Sequence, residues 1–426
     1  MTLRLYGHLD KLPPADVELI VRRAATGPSP FPDVSAIQDA VRARGDDALR
    51  ELTEKLDHQK LDALEVPRER WKDAEARMDA RVLDALHHAH ANVERFHRAC
   101  LPPPAMEVEV SRGLMAGKRN IPYRRVGVYV PGGRAAYPST VLMTVVPAKV
   151  AGVREVVVCT PPPASDATLA ACAIAGADKV ITVGGAQAVF AMAYGTRSVP
   201  KCDKIVGPGN AFVAAAKARV AGEVAIDAPA GPSEVLVLCD DTASPALAAR
   251  EMLAQAEHDP AAACVAVTTD EEVARAIRDE IDSLAKDAPR GDIVRAALSA
   301  RGAVLVAAGE AQMLAFSDRY APEHLVVLTR EPRVTLAKLH DYGSAFLGPW
   351  SSVALGDYAS GPNHVLPTAG LARSYSPLGV EDFLRRPTHQ AATREAVASL
   401  AETVETLATL EGLPNHAAAV RVRREP

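Results

Sequence analysis

The sequence has no apolar run of the roughly 18–20 residues that a membrane span requires, since the longest candidate, Val141 to Val153, is broken by Lys149. It has no basic surplus either: 48 Lys and Arg stand against 53 Asp and Glu, for a formal charge of -5. A nucleic-acid binder would carry a basic stripe. The N-terminus, MTLRLYGHLDKLPPADVELIVRR, is charged throughout and lacks the apolar stretch of a secretory signal. Cysteine is sparse. The six, Cys100, Cys159, Cys172, Cys202, Cys239 and Cys264, include no two at the spacing of a structural zinc knuckle. Most lie in apolar runs such as VVVCT and VLVLCD, where a free thiol behaves as a small hydrophobe. Disulfides are not expected, and a cytoplasmic location is. The GxGxxG dinucleotide fingerprint is also absent.

What the chain does have is length and apolar content, 426 residues at 48% hydrophobic, enough for two or three domains. The first hundred residues read as helical: Leu19, Ile20 and Val21, then Ile37, Val41, Leu49, Leu52 and Leu56, recur at three-to-four-residue steps. A second helical run, about 68–98, contains HHAHANVERFHR. Its His87, His90 and His97 spread around the helix with no partner at ligand spacing, so a solvated face is expected there. From about residue 125 short β-branched runs alternate with helical stretches, the pattern of buried parallel strands joined by crossover helices. The fold class is therefore α/β with two parallel-sheet units and small helical segments at both ends. The expected division is 1–24 as an N-terminal helical segment and 25–127 with 235–377 as one α/β domain. A second unit spans 128–234, and a C-terminal helical arm 378–426.

Glycine-rich turns punctuate the 128–234 unit: PGG at 131–133, GG at 184–185 and GPGN at 207–210, each after a strand and before a helix. That position aims free N–H groups at a ligand and suits a phosphate, although each turn alone is an ordinary connector. A second constellation is richer in chemistry. LAQAEHD presents Gln255 and His258 on one helix face, and APEHL places Glu323 beside His324. Asp357 and His364 flank a Gly/Pro/Asn loop, and Glu411 and His416 cross a Gly-Leu-Pro turn. Histidines with a carboxylate and a further oxygen ligand suit a catalytic zinc, which keeps a position open for substrate. A lone histidine is ordinarily a satisfied surface or core residue, and spacing leaves the substrate open.

Taken in order, RVGVYVPGG at 125–133, VGGAQA at 183–188, VGPGN at 206–210, IDAPAGPSEVLVL at 226–238 and LAQAEHD at 253–259 resemble the histidinol dehydrogenase family. So do APEHL at 321–325, SGPNHVLPT at 360–368, YSPLGVEDF at 375–383 and EGLPNHAAAV at 411–420. The resemblance runs from about residue 120 to the end. It implies NAD-dependent oxidation of L-histidinol through the aldehyde to L-histidine, the end of histidine biosynthesis, with one zinc per site. It also implies Rossmann-like units, with 128–234 binding NAD, in a domain-swapped homodimer whose subunits share the site. Carried over motif by motif, the zinc ligands are Gln255, His258, Asp357 and His416, the last from the partner subunit. Glu323 and His324 are the proton-transfer pair. Ser233 and Glu411 help hold the substrate, which also touches His324 and the zinc ligands. Tyr129, Gln187 and Asn210 lie on the cofactor side.

Two other readings fit these residues less well. One is a zinc- and NAD-dependent dehydrogenase of another small alcohol, such as a hydroxylated sulfonate. The tail pair Glu411 and His416 instead suits a substrate bearing an amine and an imidazole. The other is a non-catalytic zinc- or nucleotide-binding protein, against which every required polar position is filled. Neither a nucleic-acid nor a membrane partner is expected.

Overall fold

The computed structural model describes residues 2–23, 32–132, 136–228 and 231–424. Two parallel sheets organise them. One has six strands, ordered Leu5–His8, Gly302–Val306, Ala263–Thr268, Glu234–Cys239, His324–Leu328 and Ser344–Leu347. The other has five, ordered Lys179–Ile181, Glu155–Cys159, Arg125–Tyr129, Lys204–Val206 and Ala225–Ile226. In both, the central strands are buried on two faces, which is why they read as continuous apolar runs rather than alternating ones. Val235 and Val237 of one strand pack with the helices Pro245–Ala256, Glu271–Leu284 and Gly291–Arg301. Its alternate residues Leu236 and Leu238 pack with Val17, Ile20, Phe316 and Tyr320 on the opposite face.

The N-terminal segment is not purely helical. Leu5–His8 is a strand pairing in parallel with Gly302–Val306 at the sheet edge. Four residues are too few to show a period, and the pairing is a tertiary choice. The expectation that residues 25–127 go with 235–377 also needs correction. Val41 and Leu49 pack on one side of the five-stranded sheet, and Trp71, Leu86 and Val93 on the other. An amphipathic stripe tells a helix to cover a sheet; it does not name which of two similar sheets. His97 departs from the solvated-face reading as well: His87 and His88 are exposed, whereas His97 is buried.

The C-terminal arm is not purely helical: a short 3-10 turn, Val380–Phe383, leads into two strands. Leu384–Arg385 pairs with Ile121–Pro122, and Thr388–Ala392 adds to Leu114–Arg119 and Ala105–Ser111 in an antiparallel sheet of three. The helices Arg394–Leu410 and Pro414–Arg424 follow, packed on each other. This part of the surface is apolar: Met106, Val108 and Val110 project from one face of their strand, and Leu407, Leu410 and Val422 are exposed on the two helices.

Candidate active site

The chemistry gathers at the amino-terminal edge of the six-stranded sheet. Glu323 and His324 enter the strand His324–Leu328, whose neighbour Glu234–Cys239 begins one residue after Ser233. The helix Pro245–Ala256 runs back to this edge, delivering Gln255 in its last turn and His258 just beyond. Asp357 sits on the short helix Val353–Tyr358, whose first turn is capped by the Ser352 hydroxyl accepting from Ala354 N. Ligands of open parallel sheets ordinarily meet the carboxyl ends of strands, so this edge is not where a general rule would look.

Glu323 and His324 are both buried. His324 Nδ1 lies 3.0 Å from the Glu234 carbonyl, which can only accept, so Nδ1 carries a proton and Nε2 faces the other way. Nε2 has no hydrogen-bond partner and stands 3.7 Å from Asp357 Oδ1. Burial disfavours the His324 cation, but the Glu323 and Asp357 carboxylates outweigh it and hold its pKa well above the imidazole range. Burial pushes the Glu323 carboxyl up. Asp357, although also desolvated, is held below the usual carboxylate range by His324, His364 and His258. Desolvation lowers the pKa of His258, although the residue as a whole is exposed.

Gln255 is buried at the same place, and its side-chain nitrogen has no partner. His364 joins from the loop after Asp357. Its Nδ1 donates to the Asp357 carbonyl at 2.9 Å, and its Nε2 accepts from the Thr140 hydroxyl at 3.3 Å. Thr140 opens the helix Pro138–Val150 of the other unit, and Asn363 donates to Met143 O at 2.5 Å in that same helix. The carboxyl edge of the five-stranded sheet thus meets the cluster.

On that carboxyl edge lie Tyr129, Gln187 and Asn210. Tyr129 is the last residue of its strand; its hydroxyl accepts from Gly185 N at 3.1 Å, and burial pushes its pKa to about 12. Gln187 is buried with Oε1 unpartnered. Asn210 caps the helix Ala211–Val220, accepting from Phe212 N at 3.0 Å and Val213 N at 3.2 Å. Gly207 has φ +116°, and a Cβ there would lie 2.1 Å from the Tyr129 carbonyl, so only glycine fits. The loop is pinned from below. Asp227 accepts from Gly207 N at 2.7 Å, Lys217 donates to Gly207 O at 3.1 Å, and Lys217 and Asp227 form a buried ion pair. Gly133 of the first glycine turn lies outside the described residues, as do Pro229 and Ala230 ahead of Ser233.

The histidinol dehydrogenase family model matches residues 22–424. A histidinol dehydrogenase of Methanothermobacter thermautotrophicus is 49% identical over 92% of both chains. One of Methanosarcina mazei is 44% identical over 99% of this chain and 98% of that one. This chain belongs to the histidinol dehydrogenase family. The fold agrees: the crystal structure of histidinol dehydrogenase from Elizabethkingia anophelis superposes with a TM-score of 0.93 at 33% identity, covering 99% of this chain and 98% of that one.

Family membership makes the placement of the tail residues informative. Glu411 and His416 are exposed at the junction of the two arm helices, and among the described residues neither side chain makes a hydrogen bond or ion pair. The chain therefore gathers Gln255, His258, Glu323, His324 and Asp357, with Ser233 close in sequence to the edge, and leaves the tail pair apart. Among the described residues no cluster of three or more His, Cys, Asp or Glu side chains stands at metal-holding distance.

Four residues of the site were not singled out in their present roles. Thr140 and His364 tie the two units together, and Arg23 and Glu234 lie behind Glu323 and His324. His364 was visible in sequence only as a loop residue beside Asp357, and Glu234 left a signal as a charged residue opening the otherwise apolar central strand Glu234–Cys239.

Proposed function

We propose that this oxidoreductase converts L-histidinol to L-histidine in two NAD-dependent oxidations, at a zinc site completed by a second copy of the chain. The donor set fits the metal: the amide oxygen of buried Gln255, which accepts no described hydrogen bond, the imidazole of His258, and an Asp357 carboxylate kept ionised. His416 is the fourth ligand. The 128–234 unit is the NAD-binding domain, with Tyr129, Gln187 and Asn210 toward the cofactor. When bound, zinc supplies Lewis acidity and anchoring for an imidazole and an amine, and NAD accepts hydride.

The residues do the rest. In its neutral form His324 keeps the Nδ1 proton on the Glu234 carbonyl and presents unpartnered Nε2 toward the Asp357 side. There Nε2 takes the hydroxyl proton as the carbon–hydrogen bond of the alcohol breaks, and the Glu323 and Asp357 carboxylates then stabilise the imidazolium. The resulting aldehyde must gain a water oxygen before a second hydride can leave. Glu323, beside His324, takes a proton from that water as its oxygen bonds to the aldehyde carbon. Glu411 pairs with the substrate ammonium, a charge-assisted contact. Ser233 adds a hydroxyl contact.

The observation that carries this reading is the buried Glu323–His324 pair facing Asp357 in a chain whose remaining ligand is exposed on an arm. The arm's apolar surface supports a homodimer, since Leu407, Leu410 and Val422 on it and Trp350, Leu355 and Tyr358 near Asp357 stand exposed. Among the described residues no helix is long and apolar enough to cross a membrane. The test is NADH yield at completion with limiting L-histidinol, before and after chelation and zinc return. Two NADH per histidinol, lost on chelation and restored by zinc, is the expected result. One NADH would remove the role given to Glu323, and none would refute the substrate.

A further inference from the structure

Glu234 is 2% exposed and carries a charge into the centre of the sheet. Arg23, at the end of the helix Pro14–Arg22, meets it with a two-pronged grip: Nε to Oε2 and Nη2 to Oε1, both at 2.5 Å. The same guanidinium donates to the Ala321 carbonyl at 3.2 Å and the Val21 carbonyl at 2.7 Å, and lies 3.6 Å over the Tyr320 ring. All three guanidinium nitrogens are therefore engaged, and Arg23 itself takes the left-handed backbone conformation (φ +43°) to reach there.

Glu234 in turn touches the catalytic dipeptide at three points. Its N–H donates to Glu323 Oε2 at 2.8 Å, its Oε1 accepts from Glu323 N at 3.1 Å, and its carbonyl takes the His324 Nδ1 proton at 3.0 Å. The first contact fixes which Glu323 oxygen is occupied. The last fixes which His324 nitrogen is free. Neither Arg23 nor Glu234 contacts Gln255, His258 or Asp357 among the described hydrogen bonds and ion pairs. A buried ion pair is a poor stability device, because two well-packed neutral side chains commonly do as well.

We propose that Arg23 and Glu234 are positioning residues for the reaction: through Glu323 N and the Ala321 carbonyl their buried side chains lock the two strand ends together, so that the Glu234 backbone N–H and carbonyl hold the Glu323 carboxylate and the His324 ring in the orientation that transfers protons. The proposal rests on the assignment of Glu323 and His324 as the proton-transfer pair. Arg23 belongs to the N-terminal segment, so a part of the chain remote in sequence from every catalytic motif sets the geometry of the reacting groups. Lysine cannot replace it, since an ammonium offers no planar fork to a carboxylate.

The experiment compares the zinc-loaded, full-length enzyme with Arg23→Lys and with the neutral double variant Arg23→Met plus Glu234→Gln, alongside Glu323→Gln and His324→Asn. Melting temperature, zinc content, KM and kcat are read for each. A positioning role predicts a kcat about 10–100-fold lower in the double variant, with KM for histidinol and zinc content within about twofold. Arg23→Lys should show the same split at a smaller size, about fivefold to tenfold in kcat, and it decides the matter if the double variant does not fold. Wild-type kcat in the double variant, or a loss that tracks zinc content or KM, would overturn the proposal. Full activity in Glu323→Gln and His324→Asn would overturn the assignment of the pair and this proposal with it. Activity lost there but kept in the Arg23 variants would overturn this proposal alone.

Discussion

Acid should destabilise this protein in part through His97, a histidine given no role in the chemistry. His97, near the end of the helix Ala80–Ala99, is 1% exposed, and neither ring nitrogen has a partner. Its ring meets Phe96 edge-on at 5.3 Å, and burial pushes its pKa down to about 4. In the unfolded chain the ring titrates near 6.5. Below that pH the unfolded state takes up a proton that the folded state refuses, so stability falls as pH drops and levels off below about 4. A gap of about 2.5 pKa units corresponds to about 3 kcal/mol in full, of which about 2 kcal/mol is lost by pH 5. Urea unfolding at fixed protein concentration, at pH 7.5 and pH 5, would measure it in the wild type and in His97→Leu. Subtracting the two pH dependences cancels every other titrating group. A difference near 2 kcal/mol is expected. Parallel pH dependences would show that His97 finds a proton partner and would refute the reasoning.

Two further predictions concern the cofactor side and the thiols. Gly207→Ala places a methyl against the Tyr129 carbonyl and distorts the GPGN turn, so KM for NAD should rise by about tenfold or more while histidinol binding to the zinc-loaded protein persists. Steady-state kinetics and calorimetry separate the two, and an unchanged KM would detach this turn from the cofactor. Five of the six cysteines are buried, and burial raises their thiol pKa values, that of Cys159 to about 12. A thiol-exchange reagent should therefore find Cys100 at most in the native protein and all six in denaturant.

The strand–turn–helix rhythm of the 128–234 unit and the central strands of 235–377 were legible in sequence, because doubly buried strands leave unbroken apolar runs such as EVLVL and HLVVL. Gln255 with His258, and Glu323 with His324, stood out in sequence for a related reason, since polar residues that interrupt or border such runs need a purpose, and the structure brings them to one edge of the sheet. Leu5–His8 was not legible, since its partner lies three hundred residues away and its own four residues carry no pattern. Thr388–Ala392 was hidden because THQAA is exposed and polar enough to pass for a connector. The long helices of the first hundred residues were found, but not the sheet they cover. Arg23 shows the limit most clearly, because an arginine in a charged N-terminal run looks solvated until Glu234 and Tyr320 are seen around it.

The central claim, that one chain holds part of a site that a second copy completes, is tested most directly by mixing two inactive variants. His258→Asn damages the body and leaves the arm intact; His416→Asn does the reverse. If the arm serves the partner, each mixed dimer has one site with two damaged residues and one fully wild-type site. Random reassociation makes half the dimers mixed, each with one working site of two, so the mixture should recover about a quarter of wild-type activity. Each variant alone should remain inactive. No recovery, with mixed dimers shown to form, would mean that His416 serves its own chain's site or none, and would contradict the account.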